Sequence, residues 1–246
     1  MKILSCFLLC LSALAQAPPT ISVVSAASGD AGVSPDSIVT IFGSNLTDRT
    51  EQASGLPLPT TLAGIGVQVM NTAAGLLYAS PGQINFVLPA GIPAGSAAVN
   101  VVQGGKTVAQ GNAQVQPVAP ALFFVGSNHV AAGNADRRIA VVGPLVAAPL
   151  FSCDSADACA PVPLNPGIDT PTTIELYGTG IRSGTTVTAT IGGQTVPVDF
   201  AGAQPQFPGL DQVNLPLLLS LRGAGKVNVV VTVDGKPSNP VQIQIQ

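Results

Sequence analysis

The chain is predicted to be all-β, two copies of one β-sandwich joined in tandem. Composition, turn spacing and an internal repeat carry that expectation. Only 9% of the 246 residues are charged, against 46% hydrophobic, with 27 Gly and 22 Pro and no Trp. Low charge and high hydrophobicity argue against disorder. Pro and Gly interrupt nearly every window long enough to hold a helix. Short β-branched runs bounded by Gly, Pro, Asn and Asp read instead as strands and turns. The third observation is a returning stretch. Tyr78-Ala79-Ser80-Pro81-Gly82-Gln83-Ile84-Asn85-Phe86-Val87-Leu88-Pro89 comes back, altered, as Phe207-Pro208-Gly209-Leu210-Asp211-Gln212-Val213-Asn214-Leu215-Pro216. In each copy a Pro-Gly turn leads into Gln-(Ile/Val)-Asn, apolar residues and Pro.

The elements follow in order. Lys2, the apolar run Ile3–Leu14 and the small residues Ala13 and Ala15 have the layout of a signal peptide. Cleavage is expected after Ala15, with Ala17 as the alternative. The apolar run is shorter than the roughly 20 residues a membrane-spanning helix needs, so residues 1–15 are expected to be removed and no membrane span to remain. Strands are expected at Ile21–Val24, Ser37–Phe42, Gly64–Met70, Leu76–Ala79, Gln83–Leu88 and Ala97–Gln103, with Gly104-Gly105 as a hairpin turn. Gln110–Gln116 closes the first unit, 18–117. Asp48–Pro59 is the most polar stretch and reads as an exposed loop.

Four landmarks return in the same order in the second unit, 118–246. Thr173–Tyr177 with Gly178-Thr179-Gly180-Ile181 answers Val39–Leu46. Thr186–Ile191 with Gly192-Gly193 answers Gly64–Met70. Gln212-Val213-Asn214 answers Gln83-Ile84-Asn85, and Lys226–Val233 with Asp234-Gly235-Lys236 answers Ala97–Lys106. An ordered set of four matches indicates duplication. Between the copies, Ala121–Val125 and Arg138–Val142 look strand-like. Pro144–Leu164 is a Pro-rich insertion carrying Cys153 and Cys159. These are the two cysteines left once Cys6 and Cys10 depart with the leader, and an exported pair is expected to form a disulfide.

The run Val39-Thr40-Ile41-Phe42-Gly43-Ser44-Asn45-Leu46, then Gln83–Pro89, then Val99–Val102, resembles the IPT/TIG type of immunoglobulin-like domain. Gln204–Asn214 and Val233–Pro240 are similar to the "Solibacter uncharacterised C-terminal domain" family of exported acidobacterial proteins. These resemblances cover nearly all of the mature chain, and the Cys-containing middle segment departs most. They imply immunoglobulin-like sandwiches and export. They transfer no catalytic residue.

The residues themselves give little chemistry to an enzyme. His129 is the only histidine and no Gly-x-Ser-x-Gly elbow occurs, so His129 reads as a polar loop residue. Two Cys without further ligands do not make a zinc site. Asp154 and Asp157 alone fall short of the six to eight oxygens calcium takes. Glu175 and Asp199 on expected strands, with Asp211 just before one, are the acids a glycosidase would need to pair. Asn85 and Asn214 are expected to cap turns through the backbone. No cofactor and no metal are expected. A net charge of -3 with scattered Lys and Arg excludes a nucleic-acid face. What remains is an exported, non-catalytic binding or scaffolding module at the envelope or outside the cell, with a glycan or a surface protein as ligand. The alternative is a spacer without ligand, and a secreted hydrolase ranks below both. Tyr78, Tyr177 and Phe207 are the candidate ligand contacts, because sugars stack on aromatic rings and few are available. Specific function is expected where the copies differ, at Asp48–Pro59, Pro117–Pro171 and Phe200–Phe207.

Overall fold

A computed structural model describes residues 17–138, 143–155, 158–168 and 170–246. The leader, the end of the strand expected at Arg138–Val142, and Asp157 lie outside the described residues. Within them the chain is all-β apart from one 3-10 turn at Leu219–Leu221. None of the described helices is long and apolar enough to cross a membrane.

In the first half, β1 (Ser22–Ser25), β2 (Ile38–Phe42), β3 (Gly66–Val69), β4 (Gly75–Ala79), β5 (Gln83–Val87), β6 (Gly95–Gln103) and β7 (Lys106–Val115) form two sheets. One runs β1-β2-β5-β4 and ends on the two-residue strand Glu51–Gln52. The other runs β7-β6-β3, with Gly32–Val33 paired in parallel to β7. Alternation sets which side chains enter the core. Along β5, Ile84 and Phe86 are fully buried while Gln83 and Asn85 look outward. The inward residues of both sheets make one cluster that includes Val39, Ile41, Leu76, Phe86, Val99 and Val115.

The second half repeats this plan. Its strands are β8 (Gly133–Arg138), β9 (Leu145–Pro149), β10 (Thr172–Thr179), β11 (Val187–Ile191), β12 (Phe200–Ala203), β13 (Asp211–Pro216), β14 (Gly225–Val233) and β15 (Val241–Ile245). One sheet runs β9-β8-β10-β13-β12. The other contains β15-β14-β11. β10 and β13 occupy the places of β2 and β5, and pair in the same antiparallel sense. A second cluster gathers Val118, Ile174, Leu176, Val213, Leu215 and Val231. The change of core falls between Val115 and Val118.

Two local readings are corrected and one strand is added. The expected strand Ala121–Val125 is two strands split at Phe123: Ala121–Leu122 pairs with β10, Phe124–Val125 with Val130–Ala131 of the other sheet. A strand the sequence reading did not mark, Gly133–Arg138, forms a hairpin with β9. Asp199 stands at a bend before β12, not on a strand.

Cys153 and Cys159 are joined in a disulfide. It closes a separate two-stranded hairpin, Phe151–Cys153 with Cys159–Pro161. Neither sheet of the second half uses those strands. Closing so short a loop is worth about 2–3 kcal/mol in the chain-entropy model, set against a net domain stability of about 5–15 kcal/mol. Reduction is therefore expected to leave a cooperative thermal transition, followed by circular dichroism with and without reductant. Loss of that transition would contradict the peripheral placement of the hairpin.

Candidate functional site

The repeated Gln-x-Asn carries the first piece of the site. Residues two apart on a strand share a face, so the Gln side chain reaches the Asn beside it. Gln83 Nε2 donates to Asn85 Oδ1 at 2.8 Å, and Gln212 Nε2 donates to Asn214 Oδ1 at 2.9 Å. The two Asn side chains thus lie on outer sheet faces and do not cap turns, which corrects the expectation for them. Asn85 Oδ1 also accepts from the Thr40 hydroxyl at 3.0 Å. Its carbonyl oxygen is occupied twice, which turns the amide nitrogen to the remaining side.

Across that face, Asn85 sits opposite Tyr78 on β4, and Tyr78 opposite Gln52. Above this floor is a cleft of about 470 Å³. One wall is the segment 53–58 of the polar loop, which contains a cis Leu56–Pro57 peptide. The other wall comes from the second half: Gln206, Phe207 and Pro208. Leu56 is 61% and Phe207 59% exposed, both unusual for their type. Two of the three regions in which the copies differ therefore meet at one place.

The second wall is held in position by contacts between the halves. Pro208 and Gly209 are the central residues of a turn closed by Leu210 N–H donating to the Phe207 carbonyl at 3.2 Å, with Gly209 at φ +80°. Thr179 ties this turn to the first half. Its hydroxyl accepts from Ile38 N–H and donates to the Gly209 carbonyl, both at 2.8 Å. Gly209 lies so close to Ile38 that a Cβ there would stand 2.6 Å from Ile38 Cγ1. Lys236 Nζ makes a further tie, donating to Gln116 Oε1 at 2.6 Å and to the Val118 carbonyl at 3.2 Å. The equivalent turn of the first copy, Ser80–Gln83, closes in the same way but makes no such joint.

Tyr78 and Phe207 are thus brought together, and Tyr177 is not. Tyr177 lies on the outer face of β10, where its hydroxyl accepts from Asn134 Nδ2 at 3.0 Å. His129 stacks against Phe124, with ring centroids 4.2 Å apart, and lines none of the cleft.

The three acids considered for hydrolysis do not converge. Asp211 is fully buried. It accepts from Ile181 N–H at 2.7 Å and from Arg182 Nε at 2.6 Å. Burial pushes its carboxyl above the ordinary aspartate range, and these donors oppose that push without cancelling it. Sequence reasoning missed this pair, because Arg182 and Asp211 are 29 residues apart and nothing at either position marks burial. Asp199 stands apart at its bend.

Glu175 instead lies beside Asp136 of the neighbouring strand. Burial first, then repulsion from Asp136, raises its carboxyl above the usual glutamate range. The sign follows: an acid whose folded pKa is raised costs stability once pH climbs from its unfolded value through its folded one. Carbon-detected NMR titration is expected to show Glu175 titrating late. Asp136→Asn is expected to lower that midpoint without restoring the ordinary value, since burial is the larger cause. An unmoved midpoint would remove Asp136 as a cause. Among the described residues, no group of three or more His, Cys, Asp or Glu side chains is placed to hold a metal.

No family model matches the chain, and no curated protein matches it. Several solved structures are similar in part. An auxiliary nutrient binding protein from Bacteroides thetaiotaomicron is 13% identical over 89% of this chain and 43% of its own, with a TM-score of 0.28. The plexin A4 full extracellular region is 13% identical over 93% of this chain and 18% of its own, at 0.27. Surface layer protein SbsC, domains 4–9, is 13% identical over 93% and 31%, at 0.26. The chain spans less than half the length of each, and at these TM-scores the likeness carries no argument about ligand, activity or partner.

Proposed function

We propose that the chain is an exported, non-catalytic binding module of two immunoglobulin-like sandwiches, residues 18–117 and 118–246, and that it takes an oligosaccharide in the cleft between them. The observation that carries this reading is the meeting of Tyr78 and Phe207 across Asn85, one aromatic from each half over a floor of amides. Ring faces and amide donors are what a sugar's C–H faces and hydroxyls need. Clefts at the junction of two units are favoured places for ligands. The signal-like leader and the disulfide support an oxidising destination.

A glycan-array screen of the mature protein, paired with a pull-down, tests it. Oligosaccharide binding is expected, and Phe207→Ala is expected to lower affinity about tenfold or more, the loss typical of an aromatic anchor. Stability should change by less than about 0.5 kcal/mol, since the ring is largely exposed. Tyr177→Phe should leave binding unchanged. Silence in both screens overturns the reading in favour of a ligand-free spacer. The hydrogen-bonded joint at Thr179 and Lys236 is the observation that favours that second reading. Capture of a surface protein without any sugar signal would reassign the cleft to a protein ligand.

A further inference from the structure

A second cavity, remote in sequence from the Tyr78–Phe207 cleft, opens to solvent beside the edge strand β9 of the second half. It has a volume of about 330 Å³, at the lower end of the range for small-molecule sites. On β8, Ala135 and Arg137 share a face, and Arg137 is flanked by Val146 of β9 and Thr172 of β10. Ala135, Leu164 and Thr172 of this cavity are buried, so the face that Arg137 shares is the one turned to the sandwich interior. Val146, Ala148 and Val162 complete apolar walls.

An arginine is out of keeping with those walls. Its guanidinium is always charged. Yet Arg137 Nε is buried and has no hydrogen-bond partner among the described residues. Arg137 makes no ion pair among the described residues. The neighbouring Asp136 alternates to the opposite face. The loop over the guanidinium is tight: a Cβ on Gly167 would stand 3.1 Å from Arg137 Nε. Thr172 Oγ1 is already committed, donating to the Asn165 carbonyl at 2.6 Å. Asn165 Oδ1 accepts from Gly167 N–H, which leaves the Asn165 amide nitrogen as a second donor at the exposed rim.

We propose that this cavity binds an aliphatic carboxylate, a medium-chain fatty acid, with its headgroup on Arg137 and its chain against Ala135, Val146, Ala148 and Leu164. A buried Nε–H without a partner costs free energy that a carboxylate recovers through paired, charge-assisted hydrogen bonds to Nε and a terminal nitrogen of the half-buried Arg137. The apolar walls disfavour a hydrated inorganic anion, which would lose its water and gain one partner. The hydrocarbon body supplies the burial such walls reward. This site is independent of the sugar cleft, and either can fail without the other.

The test titrates the mature protein with decanoate, methyl decanoate and decylamine, followed by isothermal calorimetry and by the Arg137 Nε–H resonance. Decanoate is expected to bind and shift that resonance, while the ester and the amine bind at least about tenfold more weakly. Arg137→Met should lose binding to a similar extent, and Arg137→Lys should keep part of it. The comparison of acid with ester needs no variant, so a misfolded Arg137→Met does not blunt the test. Equal binding of acid and ester, no binding of decanoate, or undiminished binding by a folded Arg137→Met each overturns the proposal. Tighter binding of a peptide ending in a free Leu carboxylate would overturn the assignment to a fatty acid.

Discussion

Asp211→Ala is expected to lower the stability of the chain by about 3–5 kcal/mol, the usual cost of removing one partner of a buried ion pair. The Arg182 side chain is only 22% exposed, and its Nε stands 2.6 Å from Asp211 Oδ1. Arg182 Nη2 donates to the Leu210 carbonyl at 2.7 Å, so the side chain is held in place when the carboxylate goes. The Ile181 and Arg182 amides lose their acceptor as well. The intact pair is a different quantity. Burial pushes Asp211 upward despite its donors, so ionising it costs more in the fold than in the unfolded chain. Stability from this group is therefore lost as pH rises through its folded pKa and is not lost on acidification. Asp211→Asn should cost less than Ala, because one oxygen can still accept from Ile181. Urea denaturation gives the magnitude. Amide exchange gives the place: β10 and β13 should lose protection while β2 and β5 keep theirs. An Asp211→Ala variant within about 1 kcal/mol of the parent would show that Arg182 and the two amides are not left stranded when the carboxylate goes.

The same position explains how much could be read in advance. The repeat was legible because turns and alternation are local: Pro-Gly, Gln-x-Asn and the alternating apolar residues of β5 and β13 all act within a few residues. The order of the shared strands followed from it. The cleft was legible only as two separate regions in which the copies differ, 48–59 and 200–207. Their meeting depends on Thr179 touching Ile38, 141 residues away, and no local signal encodes such a contact. The Arg137 cavity was hidden for another reason. In the sequence Arg137 stands in a charged run, Asp136-Arg137-Arg138, and only the register of β8 between β9 and β10 turns Arg137 inward. Asp211 was hidden by its place in a turn-like sequence, where acids are ordinarily solvated.

Gly180→Ala is expected to cost about 2–5 kcal/mol and to disturb the cleft from a distance. The two copies make the argument. Gly43-Ser44-Asn45-Leu46 and Gly178-Thr179-Gly180-Ile181 are equivalent, and the third residue is left-handed in both, Asn45 at φ +55° and Gly180 at φ +74°. Asn tolerates that conformation; Ala pays about 1–2 kcal/mol. Space then separates the copies. Asn45 is exposed. At Gly180 a Cβ would run into the Ala119 carbonyl, and would lie 3.1 Å from the buried Ser34 hydroxyl. The Ala119 N–H in turn donates to the Gly180 carbonyl at 3.1 Å, so the segment joining the halves cannot retreat without losing a bond. Overpacking adds about 1–3 kcal/mol. Gly180→Asn separates the two causes. If backbone conformation dominated, Asn would be accepted at 180 as it is at 45; because the carbonyl of Ala119 fills the space, Asn is expected to fail nearly as badly as Ala. Asn45→Gly is the control and should stay within about 0.5 kcal/mol. Thermal unfolding ranks the three variants. Gly180 neighbours Thr179, which fixes the Phe207–Leu210 turn, so the Gly180 variants should also weaken any ligand of the Tyr78–Phe207 cleft while Asn45→Gly does not. A Gly180→Asn protein as stable as its parent, with cleft binding intact, would mean that the halves are not held at this joint.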